Sequence, residues 1–151
     1  MKLRTALIVT LMMGLILAAI PGSSMEPDTL KDQIDVFGVQ LDSTVDHQEI
    51  NGVKAVEEPC LRGYERSFDA LDILIGYGFD GKVRKITTRN PVTSMFGIKP
   101  GMTYGEGKHK ILLAGFVEQI PPFKFKATGC SITFLVDEKD RIFALKLERQ
   151  E

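Results

Sequence analysis

The chain of 151 residues has no tryptophan, only two histidines and only two cysteines. With so few imidazoles and thiols, few catalytic or metal-binding constellations remain open. His47 and His109 have no second His or Cys at metal-ligand spacing, and neither cysteine sits in a nucleophile signature. No Gly-x-Ser-x-Gly elbow occurs, and no glycine-rich loop enters a helix at phosphate-binding spacing. Asp137, Glu138 and Asp140 lack the regular donors and central glycine of a calcium loop. Glu57-Glu58 is an adjacent pair in a polar stretch, where like charges repel rather than share a proton. The sequence therefore reads as non-enzymatic, with no cofactor and no metal. An excess of positive charge is missing too, since 19 basic residues face 20 acidic ones. Nucleic-acid binding relies on such an excess, so the basic groups Lys108-His109-Lys110 and Lys124 with Lys126 read as solvated surface.

One apolar run stands out. Lys2 and Arg4 precede the uncharged stretch Thr5 to Ile20, followed by Pro21-Gly22-Ser23-Ser24. A basic start, an apolar core and a small-residue tail are the features of a secretory signal peptide. The expectation is cleavage after Ser24 and an extracytoplasmic, secreted or periplasmic protein with no membrane span left. An uncleaved anchor is the alternative, although the run is shorter than the roughly 20 residues of a spanning helix. No cysteine follows the run for lipid attachment. In an exported chain an even cysteine count points to a Cys60–Cys130 disulfide, and closing about 70 residues would contribute roughly 4 kcal/mol. Two free buried thiols are the other option.

The rest is organised by an internal echo. Phe96 to Thr103 (FGIKPGMT) repeats Phe37 to Thr44 (FGVQLDST) at an offset of 59. The same offset carries Ile73 onto Ile132, Ile75 onto Phe134, Val83 onto Ile142 and Ile86 onto Leu145. A fixed offset suggests one small unit used twice. The expected layout is a linker or short helix over 25–36, a first repeat over 37–90 and a second over 91–151, forming one globular domain over 37–151.

Within each unit, short strands are expected at Phe37–Leu41 and Phe96–Lys99. Thr103 and Glu106 form a capping box for a helix ending near Ala114. Asp42 to Glu58 reads either as a degraded helix capped by Ser43 or Thr44, which its place in the repeat favours, or as a hairpin turning at Asn51-Gly52. Period two places Leu71, Ile73, Ile75, Tyr77 and Phe79 on one buried face. A turn at Asp80-Gly81 sets Ile86 opposite Ile75 and Val83 opposite Gly78. A four-residue turn after Val136 pairs Phe134 with Phe143 and Ile132 with Leu145, with Cys130 near Leu147. The expected fold class is α+β, with two tandem repeats of a short helix packed on antiparallel strands. These build a mainly antiparallel sheet with helices on one face.

Ile98, Gly101, Met102, Thr103 and Glu106, leading from a strand into a helix and then into antiparallel strands, make a family resemblance. The pattern resembles the repeat shared by BamE-type outer-membrane assembly lipoproteins and the β-lactamase inhibitor protein, where two units stand in tandem. Gly107 departs from it, and so does Asp42-Ser43-Thr44 in place of Gly-Met-Thr; the motif concerns turn and cap, so no functional residue carries over. The resemblance implies an exported, non-catalytic protein-binding or scaffold domain, whose partner is another protein of the envelope or extracellular space. A secreted inhibitor of an extracellular enzyme is one alternative. A small-molecule binding module, with a pocket opened by Gly105 and Gly107 between helix and sheet, is another. Candidate partner contacts are the solvent side of the sheet and the aromatic-lysine run Phe123, Lys124, Phe125 and Lys126; burial of both phenylalanines in the core is the competing expectation.

Overall fold

The structure, a computed structural model, describes residue 30 and residues 32–150. The leader expected over 1–24 lies outside the described residues. Eight strands form one antiparallel sheet, in two sequential groups. The first group is β4 (Val56–Cys60), β5 (Gly63–Phe68), β6 (Ile73–Gly78) and β7 (Val83–Thr88). The second is β9 (Val117–Glu118), β10 (Lys124–Ala127), β11 (Cys130–Val136) and β12 (Ile142–Arg149). The order across the sheet is β4-β5-β6-β7-β12-β11-β10-β9, so the two groups meet along β7 and β12. Outside the sheet lie the paired short strands β1 (Ile34–Asp35) and β8 (Ser94–Met95), the hairpin β2 (Glu49–Ile50) with β3 (Val53–Lys54), and the helix α1 (Tyr104–Leu113).

The offset of 59 recurs in the backbone hydrogen bonds. The Asp42 N–H donates to the Val83 carbonyl at 2.9 Å, and the Gly101 N–H to the Ile142 carbonyl at 2.7 Å. Val83 returns a bond to Ser43, as Ile142 does to Met102; Gly78 receives from Gly81, as Asp137 does from Asp140. At the junction, Ile86 faces Leu147, Thr87 faces Lys146 and Thr88 faces Leu145. Thr87 and Lys146 are 59 apart, so each is the other's counterpart. The local two-fold axis therefore passes between them, perpendicular to the sheet, and both groups turn the same face to the core.

That face carries two transverse rows. Ile75, Ile86, Leu147, Ile132 and Phe125 are partners in succession across five strands, and all are fully buried. Phe68, Ile73, Thr88, Leu145 and Phe134 form the second row. Each large apolar side chain so buried contributes about 1.5–3 kcal/mol. Thr88 joins this row because its hydroxyl is satisfied by Thr93 at 2.8 Å.

The expected α+β class with a helix in each repeat is overturned: the fold is mostly antiparallel sheet, and only the second repeat carries its helix. The cause is local. In α1 the Thr103 hydroxyl accepts from the Glu106 N–H at 3.3 Å, and the Glu106 carboxylate accepts from the Thr103 N–H at 3.1 Å. The Thr103 hydroxyl also donates to that carboxylate at 2.8 Å, and this bond first, then the one from the Thr103 N–H, holds the Glu106 carboxyl below the usual range. The matching position in the first repeat is His47, so the box is absent there. Asn51 and Gly52 instead take φ of 48° and 79°, the left-handed pair that a tight hairpin turn requires, and the chain forms β2–β3.

Other expectations shift by register. A bulge at Leu135/Val136 pairs Phe134 with Leu145, Ile132 with Leu147 and Cys130 with Arg149. A bulge at Gly76/Tyr77 pairs Val83 with Tyr77. In the second hairpin the slip is two residues, which preserves the face, so the expected core survives. Phe79 does not share that fate: β6 ends at Gly78, and Phe79 is 85% exposed at the turn. The strands expected at Phe37–Leu41 and Phe96–Lys99 are turns, because Phe37 and Phe96 take φ of 53° and 55°.

Cys60 and Cys130 are not bonded to each other. Cys60 lies on the outermost strand and Cys130 on β11, five strand spacings away. At about 4.8 Å per spacing this is roughly 24 Å, against the roughly 7 Å between Cα atoms that a disulfide tolerates. Cys130 is buried, which pushes its thiol pKa up. Cys60 is exposed and should alkylate in the native protein without reductant, while Cys130 should react only after denaturation. Mass spectrometry showing no adduct until reduction would contradict this arrangement.

The helix presses on the sheet at Gly107, where an added Cβ would lie 2.4 Å from Ile142 Cδ1 and 3.2 Å from Phe134 Cε2. The pocket expected there is filled. Gly105 has nothing within 4 Å. Gly107→Ala should destabilise by roughly 1–3 kcal/mol through overpacking, whereas Gly105→Ala should stabilise by up to about 1 kcal/mol through helix propensity. Opposite shifts in Tm are the expected result.

Candidate binding face

With helix and hairpin on one side, the opposite face of the sheet has no helix or strand over it among the described residues, although Gly76 and Ser131 within it are buried, Ser131 beneath the Gln150 amide at 2.8 Å. Strand alternation assigns its side chains. One row runs Glu65, Gly76, Lys85, Glu148, Ser131, Lys126. The next runs Ser67, Leu74, Thr87, Lys146, Thr133, Lys124. Gly76 owes its place to this geometry. Lys85 lies across it to pair with Glu65, and a Cβ at Gly76 would sit 3.1 Å from Lys85 Cβ and 3.2 Å from its Cε.

A cleft of about 1110 Å³ opens over the first repeat's half of this face, floored by Gly76 and Gly78. Its rim carries two apolar side chains on adjacent turns, Leu61 at 98% exposure and Phe79. One side is braced by Asp42, whose carboxylate accepts from Arg84 at 2.9 Å and from Arg149 at 3.2 Å. Arg84 also pairs with Asp80 at 2.6 Å. The Lys82 N–H, with the Arg84 contact added, holds the Asp80 carboxyl below its usual range. Apart from Arg62, the charges lining the cleft are thus held in ion pairs, and the apolar rim is free.

No family model, curated protein or solved structure matches this chain.

The expected contact run Phe123 to Lys126 divides. Phe125 is fully buried against Phe134, ring centroids 4.9 Å apart, and cannot touch a partner. Phe123 is partly exposed and packs edge-on against Tyr104 at 4.9 Å. Lys124 and Lys126 point to the open face, since strand alternation sends them away from Phe125. Leu61, Phe79 and Lys146 escaped the sequence. The Gly76/Gly78 alternation was the one signal there, since it leaves β6 without side chains at these two positions of the open face.

A second polar cluster closes the core side near β5. Arg66 lies over the stacked rings of Tyr64 and Tyr77, 5.1 and 5.4 Å from their centroids. It pairs with Glu57 at 2.7 Å and with Asp46. The His47 N–H donates to the Tyr77 hydroxyl at 3.1 Å, which only partly offsets the upward push of burial on that hydroxyl. His47 Nε2 is buried without a hydrogen-bond partner, and desolvation lowers the imidazole pKa below its ordinary 6.5. His109 is exposed.

A histidine depressed in the folded state binds its proton later than in the unfolded chain. Its contribution to stability is present above pH 6.5 and is lost as pH falls from there through the folded-state value. Hydrogen-exchange protection of the His47 and Ala55 N–H groups should therefore fall on acidification below about pH 6.5. His47→Gln should flatten that dependence; an unchanged pH profile in the variant would refute it.

Proposed function

We propose that this chain is an exported, non-catalytic binding protein whose open sheet face receives another protein. The observation that carries this is the open face of an eight-stranded sheet, with Leu61 and Phe79 standing free at the rim of its cleft. Exposed apolar anchors beside fixed charges are the composition of an interface centre and its polar surround. The edges are less suited to the task. Pro59 leaves β4 without one N–H, the Ala55 N–H is taken by Gln48, and β9 has two residues. Blunted edges disfavour strand addition, which leaves the face. The resemblance to the β-lactamase inhibitor protein makes an extracellular enzyme one candidate partner, and export follows from the signal-like leader.

A photo-crosslinking residue placed at Phe79 should give one stoichiometric protein adduct in the medium or periplasm of the source cells. The same residue at Leu113, on the helix that packs against the other face, should give none. Leu61→Asp with Phe79→Asp should leave the melting temperature unchanged, because neither side chain is in the core, and should abolish the adduct. Equal adducts from both positions would refute the assignment of the face.

A further inference from the structure

The open face carries its positive charge unevenly. Lys124 and Lys146 flank Thr133 in one transverse row, and Lys126 stands two residues along from Lys124. Strand spacings of about 4.8 Å and a rise of about 3.4 Å per residue put the three Cα atoms about 7–12 Å apart. Lys146 is shared with Glu148 at 3.3 Å. Lys124 and Lys126 have no ion-pair partner among the described residues. At the matching positions of the first repeat stand Glu65, Ser67 and Thr87. The lysines are therefore not a by-product of the duplicated strands, which form equally well without them.

We propose that the β10–β12 half of the open face docks an acidic segment of a protein partner, its carboxylates taken by Lys124, Lys126 and Lys146. This rests on the binding function proposed above and adds the partner's chemistry and place. Carboxylates on alternate residues of an extended segment repeat at about 7 Å, which matches the Lys124–Lys126 step. No aromatic side chain stands in either row for a base or sugar to stack on. Glu148 within the cluster and the chain's slight acidic excess disfavour a dense polyanion.

The test uses alternating Glu-Ser decapeptide as probe, mapped by NMR at low ionic strength, with heparin as comparison. Shifts are expected at Lys124, Lys126, Thr133 and Lys146. Combined Lys124→Glu, Lys126→Glu and Lys146→Glu should weaken peptide binding by about tenfold or more, and added salt should weaken it in the wild type. A normal melt for this variant excludes misfolding, and triple replacement by glutamine should give an intermediate loss. Shifts spread evenly over lysines elsewhere, such as Lys54, Lys82 and Lys139, would overturn the proposal. So would heparin perturbing the cluster while the peptide does not. If the lysine variant keeps the Phe79 crosslink, the binding function stands and this assignment falls; if the wild type gives no crosslink, the binding function itself fails.

Discussion

The pairing of β7 with β12 is the constraint on which the rest depends. The apolar rows of each four-stranded group stop at this junction. Ile86 against Leu147 and Thr88 against Leu145 make the two rows continuous across the sheet. The axis between Thr87 and Lys146 then fixes which side of each group is oily. It also explains why helix, hairpin and the β1–β8 ribbon all collect on one side. A slip of one residue at this seam would turn one group's apolar face to water.

Within that frame the two halves differ where a difference leaves the sheet intact. The hydrogen bonds from Asp42 and Gly101 into their strands are the same bond made twice. The segments that follow are a hairpin in one copy and a helix in the other. Ile50 covers the core in the first and Ile111 in the second. What the sheet requires of that segment is a buried aliphatic side chain and satisfied backbone groups. Either secondary structure supplies both.

Much of the sheet was legible in the sequence because strand parity is robust. Alternation from Ile73 to Tyr77, the Asp80-Gly81 turn and the repeat offset are local or periodic features, and a two-residue slip at a bulge leaves parity untouched. Three things were not legible. Phe79 continues the alternation but lies beyond the strand end, which bulge and turn geometry decide. The Lys-Phe-Lys stretch around Phe125 looks alike whether its aromatic faces a partner or the core, and only the row Ile132–Phe125 settles it. The spacing of Cys60 from Cys130 depends on strand order, a tertiary quantity that cysteine counting cannot supply. The cleft belongs to the same class, since its floor is the coincidence of Gly76 with the reach of Lys85 toward Glu65.

The position of the axis between Thr87 and Lys146 has a consequence for recognition. Any molecule lying across the middle of the face meets two half-surfaces that coincide in backbone after a half-turn but not in chemistry. One half offers a cleft with an apolar lip, the other a set of ammonium groups. A ligand rotated by 180° would meet the same backbone path and the wrong side chains. The backbone is thus indifferent to direction, and the side chains laid over it supply polarity, so that a partner of the kind proposed would be held in one orientation.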